Sequence, residues 1–207
     1  LAVQDRETKV AADFLTAPIS RAKIQLSYVI NAFMIGLTFS FIAFIICEIF
    51  IVATGGSLLS LEAALKVIGL LILSVLLASS MNMLFVLFTN TLSAFSTLST
   101  IIGTLIGFLA GVYVPMGVLP TFAQNLIMLF PISHSSLLLR DAFMAESINK
   151  VFAGVPIEHI EEYKINFGVM YVMNGSTLDT STSLVVIIGS IIIFSIVSII
   201  IFKKKNK

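Results

Sequence analysis

Charged residues are scarce in this chain. Only 11% of its 207 residues are Asp, Glu, Lys or Arg, whereas an average soluble domain has about 25%. Hydrophobic residues make up 58%, and the mean hydropathy is +1.08. A soluble fold of this size cannot cover its surface with so few charges. We therefore exclude a water-soluble domain.

A basic surface is lacking as well, and so are common catalytic motifs. The chain has 12 Lys and Arg against 11 Asp and Glu, a balance that excludes the basic face of a nucleic-acid binder. Its single cysteine, Cys47, excludes an intramolecular disulfide and a thiolate metal cluster. The HExxH, Gly-x-Ser-x-Gly and P-loop patterns are absent. We predict that the chain is not an enzyme and binds no cofactor or metal itself.

Three long stretches contain no charged residue, namely 24–47, 67–139 and 180–202. A helix crosses a bilayer with about 20 apolar residues at ~1.5 Å per residue, so the middle stretch is long enough for two crossings. Its break is the polar turn at 89–91. We predict an all-α membrane protein with both ends on one side. The four predicted transmembrane helices span residues 26–53, 64–88, 98–114 and 183–202.

Basic residues flank the first and last predicted spans. Those before the first span are Arg6, Lys9, Arg21 and Lys23, and those after the last are Lys203, Lys204, Lys205 and Lys207. Because basic residues beside a membrane resist translocation, we expect both termini to be cytoplasmic. We also expect the protein to lie in the plasma membrane of a bacterium. The lysine tail is expected to anchor the last span, with lipid-headgroup recognition as the alternative.

Prolines interrupt the chain after the third predicted span. Pro120 and Pro131 bracket the apolar stretch 121–130, which as a helix is ~15 Å long and reaches only halfway across the hydrocarbon. A proline suits the first turn of a helix and ends a preceding one. We therefore expect a half-helix that Pro120 begins and Pro131 ends.

A second short helix is predicted directly after this half-helix. Ser133 is expected to cap it, and it should cover residues 135–144 with Arg140 and Asp141 at the outer surface. The two helices together predict a re-entrant hairpin on the outer side, within an outer region covering 115–182. The alternative is an amphipathic helix lying flat on the outer interface.

Glu48 is an acid inside an otherwise apolar run. An acid at the centre of a bilayer costs about 2.5 to 3.5 kcal/mol on insertion scales, so we expect it near an interface or facing a polar cavity. Gly55 and Gly56, about two turns beyond it, favour the interface. The alternative is a proton-relay or cation-binding role.

Small residues recur at every fourth position of the third predicted span. They are Ser99, Gly103, Gly107 and Gly111. On a helix this spacing forms one stripe that lets another helix approach closely. We predict a helix-packing face, either within the chain or against a second copy.

The loop before the last span carries carboxylates and an imidazole at helical spacing. Glu158, His159, Glu161 and Glu162 follow Pro156 closely. A carboxylate and an imidazole could bind a metal, but two ligand candidates without a third are weak evidence for a metal site. We expect a solvated outer helix here.

A short amphipathic segment precedes the first span. Val10, Phe14 and Ala17 fall on one helical face, and Pro18 ends the segment. Such a segment suits the membrane surface or the groove of a cytoplasmic partner. We assign residues 1–25 to this region.

The same segment resembles the type-2 family of ATP-binding cassette (ABC) export permeases. Members often carry a cytoplasmic coupling helix with a Phe-Leu-x-x-Pro-Ile-Ser-Arg run ahead of a span. The residues that match this run are Phe14, Leu15, Pro18, Ile19, Ser20 and Arg21. The later residues Pro115, Pro120, Pro131 and Arg140 resemble the family's outer gate hairpin. The resemblance covers nearly the whole chain and preserves the order of its segments.

The resemblance implies a machine of several subunits. A complete member has about six spans, so this chain is expected to lack an amino-terminal helix and two spans. Two permease copies, identical or different, pair with two cytoplasmic ATPase subunits. ATP and Mg²⁺ bind to the ATPases, and the coupling segment transmits their closure. The cargoes of the family include drugs, antibiotics, peptides, lipids and polysaccharides.

Three functions follow from these patterns. The leading hypothesis is the membrane subunit of an ATP-driven exporter for hydrophobic or amphiphilic substrates. The first alternative is an ion-coupled carrier or channel in which Glu48 titrates. The second is a membrane scaffold or immunity protein that binds a ligand without transporting it.

Overall fold

The computed structural model describes residues 2–8, 19–173 and 176–205, and nearly all of this part is helical. The α-helices are α1 (Ala2–Glu7), α2 (Arg21–Ala53), α3 (Leu61–Phe88), α4 (Leu92–Leu109), α5 (Thr121–Met128), α6 (Pro131–Val151), α7 (Ile157–Asn166) and α8 (Thr180–Lys205). A 3₁₀ turn covers Met116–Val118, and strands β1 (Val172–Met173) and β2 (Ser176–Thr177) pair antiparallel.

Four of these helices are long and apolar enough to cross a membrane. They are α2, α3, α4 and α8, which confirms the predicted all-α membrane fold. Helix α2 has 33 residues, or about 50 Å at 1.5 Å per residue, which exceeds the ~30 Å of hydrocarbon in a bilayer. None of its most apolar 18-residue window is buried in the chain, so much of the surface of this helix is left uncovered by the described chain.

Helix α4 begins and ends earlier than the stretch 98–114 predicted from hydropathy. Its N-cap is Thr91, whose side chain accepts a hydrogen bond from the Ala94 N–H at 3.3 Å. Hydroxyls along its first half, such as that of Thr97, donate to carbonyls one turn back, which lets polar residues stay helical in lipid. Gly111, with φ +65°, lies in the left-handed region just beyond the helix end.

The other three spans also begin before their predicted starts, while α2 and α3 end as predicted. Helix α2 follows Ser20, and α3 is capped by the Ser60 hydroxyl, which accepts from the Ala63 N–H. Polar and charged residues thus form the first turns of these helices. Hydropathy marks the apolar core of a span, and capping residues mark where the helix begins.

Helix α3 is the central element of the bundle and packs against α2, α6 and α8. The main buried cluster joins α3, α6 and α8 through Leu77, Leu138 and Ile187, each 1% exposed. A smaller cluster joins Val3 of α1 to the last turns of α3. Lipid is as apolar as these side chains, so close packing rather than escape from water holds the spans together.

The bundle has two distinct ends. At one end, which we call the α1 end, the Tyr28 hydroxyl donates to Asp5 at 2.7 Å and the Leu92 N–H donates to Glu7 at 2.8 Å. The last turns of α3 and α8 also meet there, around a shared pocket. The opposite end, which we call the hairpin end, contains loop 54–60, α5, α6 and α7.

Helices α5 and α6 form a bent pair at the hairpin end, with 93° between them. Helix α5 follows Pro120 and has 8 residues, about 12 Å, which is too short to cross the hydrocarbon. Pro131 occupies the first turn of α6, where a missing N–H costs no hydrogen bond. Pro120 thus directly precedes α5, and Pro131 is the first residue of α6.

Helix α6 differs from its prediction in length and in its cap. It covers Pro131–Val151 rather than 135–144, and its N-cap residue is Phe130. The prediction of Ser133 as the cap is wrong, because the Ser133 hydroxyl donates to the carbonyls of Ile127 and Phe130 at 2.8 and 2.7 Å. Ser133 therefore fastens the corner between α5 and α6.

Candidate functional site

Arg140 ties α6 to the end of α4. Its guanidinium Nη2 donates to the carbonyls of Ala110 and Gly111 at 2.6 and 2.8 Å, and the Ser136 hydroxyl donates to the Ala110 carbonyl at 2.9 Å. The last carbonyls of a helix have no partner within the helix, and a cation is favourable beside them. Arg140 therefore acts as a C-terminal cap supplied by a different helix.

Two glycines let the backbone approach this guanidinium. Gly111 and Gly168 have φ of +65° and +67°, a conformation that side chains disfavour. A Cβ at Gly111 would lie 3.1 Å from Arg140 Nη1, and one at Gly168 would lie 2.8 Å from it. Arg140 thus joins three segments, namely the end of α4, α6 and the turn after α7.

A buried histidine joins the same hairpin to α8. His134 is 2% exposed, with Nε2 2.8 Å from the Met128 carbonyl and Nδ1 3.0 Å from the Ser183 hydroxyl. A carbonyl oxygen only accepts, so Nε2 carries a hydrogen. In the neutral ring Nδ1 then accepts from Ser183. One imidazole therefore holds the α5–α6 corner against α8.

Tyr171 completes this polar core from the segment after α7. Its ring meets the His134 ring edge-on, and its hydroxyl donates to the Ser133 carbonyl at 3.2 Å. Burial raises the pKa of Tyr171, so the phenol stays protonated and keeps its donor. The sequence pattern did not predict this core. The available signal was a histidine inside a long uncharged apolar stretch.

A cavity of about 550 Å³ lies between α3, α4 and α6, and Arg140 is part of its wall. We call it the chamber. Its wall is mainly apolar, with Leu77, Ile106 and Phe143 among its residues. Polar groups line one part of it, where the hydroxyls of Ser74 and Ser135 hydrogen-bond each other. The arrangement can hold an apolar molecule beneath the hairpin.

Glu48 lies near the hairpin end of α2, close to the loop that leads to α3. Its Oε2 accepts a hydrogen bond from the Leu59 N–H at 3.2 Å, and its Oε1 is buried without a partner among the described residues. The carboxylate thus binds the backbone of loop 54–60. A proton- or cation-binding role for Glu48 stays a prediction.

The small-residue stripe of α4 has no neighbouring helix in the described part of the chain. Ser99 and Gly103 are exposed, and a Cβ on Gly103 would meet nothing within 4 Å. The ring of Tyr113 covers Gly107, while Gly111 lies beyond the helix end. Packing of this stripe against a second copy stays a prediction.

The predicted coupling residues Phe14, Leu15 and Pro18 lie outside the described residues. Ile19 and Ser20 are exposed at the α1 end, and Arg21 begins α2. An exposed apolar side chain such as Ile19, 45% exposed, is available to a partner.

The predicted solvated outer helix corresponds to α7. His159 and Glu162 are both largely exposed, with Nδ1 and Oε2 4.0 Å apart. No group of three or more His, Cys, Asp or Glu side chains able to hold a metal occurs within residues 2–8, 19–173 and 176–205. The described side chains therefore offer no metal centre.

These observations define a multi-pass helical membrane protein whose hairpin is fastened over a bundle of spans. The family profile described as ABC-2 type transporter matches residues 1–144. The chain belongs to the ABC-2 type transporter family. It is a transport subunit, and the family in general works with a partner ATPase. Searches of curated proteins and of solved structures gave no significant match.

Proposed function

We propose that the chain is the membrane part of an exporter that moves hydrophobic or amphiphilic molecules out of the cell. A separate ATPase with bound ATP and Mg²⁺ drives it, and two permease copies enclose the path. The match to the ABC-2 type transporter family over residues 1–144 carries this proposal. That range contains the coupling segment, three membrane helices and the α5–α6 corner.

The chemistry of the chamber supports a hydrophobic cargo. Arg140 is the only charged residue in its wall among the described residues, and Nη2 of this guanidinium is bound to two carbonyls. A cavity of about 550 Å³ with a mainly apolar wall favours apolar groups and disfavours ions, which would lose their hydration there. We therefore place drug-like or lipid-like molecules ahead of polysaccharides as cargo.

Helix α2 provides a direct mechanical connection between the two ends. It is continuous from Arg21, next to the coupling segment, to Ala53 at the hairpin end. There Glu48 binds the backbone of loop 54–60, and Lys150 Nζ of α6 donates to the Ser57 hydroxyl at 3.2 Å. A displacement of the start of α2 is therefore transmitted to α6 through this loop.

The orientation is part of the proposal. The α1 end faces the cytoplasm and the hairpin end faces outward, because basic residues cluster around the start of α2 and after the apolar part of α8. An ATPase in the cytoplasm then meets the coupling segment. The hairpin, with its Arg140 contacts, covers the outer exit.

The decisive experiment reconstitutes the full-length protein with its ATPase in proteoliposomes and follows an amphiphilic dye. The double variant Phe14→Ala and Arg21→Glu should lose at least tenfold in transport while ATP hydrolysis and membrane insertion persist. The matched control is Lys23→Glu, a charge reversal two residues away, which should transport normally. Transport at the wild-type rate without ATP would overturn the proposal and favour the ion-coupled alternative.

A further inference from the structure

A second cavity lies near the α1 end, between α2, α3 and α8, away from the chamber. Its volume is about 270 Å³. The polar residues in its wall are Gln25, Ser80, Ser195 and Ser198, and the rest of the wall is apolar. We call it the inner cavity.

Two of these polar side chains are buried, and one of them has a fully buried atom without a partner. Gln25 is 6% exposed and Ser198 is 2% exposed, and Oγ of Ser198 is buried with no hydrogen-bond partner in the part of the chain that the structure describes. A serine in a helix commonly donates to the carbonyl one turn back, as Ser74 does to Leu70 at 2.6 Å. Ser198 does not, so its hydroxyl remains available.

An unpaired buried polar group is unfavourable in protein and in hydrocarbon alike. Buried groups of this kind are therefore rare, and each one calls for a missing partner. The amide of Gln25 both donates and accepts, and so does the hydroxyl of Ser198. A molecule in the inner cavity that carries a hydroxyl, amide or ester group satisfies them.

The wall also limits the charge and size of that molecule. No charged side chain belongs to the described wall, and burying an ion among neutral groups costs far more than burying a neutral molecule. An apolar cavity of about 150 Å³ binds benzene, so the larger inner cavity has room for an acyl chain segment or a ring.

We propose that the inner cavity binds a neutral amphiphile, whose polar group hydrogen-bonds Gln25 and Ser198 and whose apolar part lies against Leu26 and Met83. The exposed Lys23 and Lys204 lie near the same ends of α2 and α8, and such residues mark the level of the headgroups. The site is thus level with the surface of one leaflet. Binding there requires neither nucleotide nor a partner ATPase.

Photolabelling of the full-length protein in nanodiscs tests the proposal. The probe is a monoacylglycerol with a diazirine in its chain, and the labelled peptides are identified by mass spectrometry. Saturable labelling of the peptides around Gln25 and Ser198 is expected. The matching fatty acid, an anion at neutral pH, should label them at least tenfold less. Unsaturable labelling, or equal labelling by the anion, would overturn the proposal.

Variants separate specific binding from general contact with lipid. Ser198→Ala should weaken labelling about fivefold, the effect of one lost hydrogen bond. The thermal midpoint of the unliganded variant should be unchanged or higher, because an unpaired hydroxyl has been removed. The matched control is Ser190→Ala, two turns away in α8 and outside the wall. Equal labelling of the two variants would count against the site, and Gln25→Leu repeats the test from α2.

Competition identifies the source of the ligand. Unlabelled diacylglycerol that displaces the probe supports a membrane lipid as the occupant, whereas displacement by an exported dye supports a cargo. Displacement by neither molecule at saturating concentration contradicts the proposal. The assay contains no ATP, so its failure leaves the exporter function untouched, and a failure of ATP-driven transport leaves this site standing.

Discussion

Replacement of Arg140 by alanine should release the hairpin from α4. The change removes two hydrogen bonds from a cation to the carbonyls of Ala110 and Gly111. Hydrogen bonds to charged groups contribute roughly 1.5 to 3 kcal/mol each, and Arg140 is only partly buried. We therefore expect a loss of about 2 to 4 kcal/mol in the stability of this contact.

Hydrogen exchange in nanodiscs measures the loss locally. The amides of Ala110 and Val112 donate to the carbonyls of Ile106 and Gly107 at 2.7 and 2.9 Å, and they are freed when the end of α4 opens. Since 1.4 kcal/mol corresponds to a factor of ten, their exchange should accelerate roughly 30- to 700-fold. The rest of α4, toward Leu92, should keep its protection.

Two comparisons make the test specific. Arg140→Lys retains the charge but has no planar fork, so it should lie between wild type and alanine. Lys66→Ala also removes one positive charge from the hairpin end, but it breaks only the exposed Lys66–Asp141 pair, which is 3.2 Å long. Exposed pairs contribute at most about 1 kcal/mol. Unchanged exchange at Ala110 in Arg140→Ala, or an equal change in Lys66→Ala, would refute the reasoning.

Two further predictions concern the histidine and the topology. His134→Ala should lower the free energy of unfolding in detergent by about 3 kcal/mol, because it breaks two buried hydrogen bonds and opens a cavity, whereas Ser183→Ala should cost about 1 kcal/mol. Equal losses would argue against the histidine as the link. Cysteines at Asn149 and Asn206, each in a Cys47→Ser background, test orientation. An impermeant thiol reagent should label the first in intact cells and miss the second, and the opposite pattern would reverse the topology.

The sequence predicted the membrane helices well because the bilayer imposes a simple rule. A span needs a long apolar stretch without charges, and such stretches are visible without any knowledge of contacts. The ends were less predictable. Helix α4 begins at Leu92 because Thr91 caps it, and α6 begins at Pro131 rather than after Ser133. Both starts depend on local hydrogen bonds that hydropathy does not report.

The contacts that organise the hairpin depend on residues far apart in the chain. Arg140 was expected at the outer surface, and the tertiary structure directs its guanidinium to the end of α4, 30 residues earlier. The small-residue stripe predicted a helix-packing face. Its spacing does not indicate which surface, if any, packs against the stripe. Gly103 faces open space, whereas Gly107 lies under a ring from its own chain.

The sequence by itself determined that this is a membrane protein, which of its helices are long and apolar enough to cross the bilayer, and to which family it belongs. Those properties follow from composition and from local patterns along the chain. The tertiary structure alone decided that His134 meets Ser183, 49 residues away, and that Gln25 and Ser198 face one cavity from opposite ends of the chain. The reason is physical: a polar group in an apolar stretch must find its partner in space, and only the packing of the helices determines which groups come within reach.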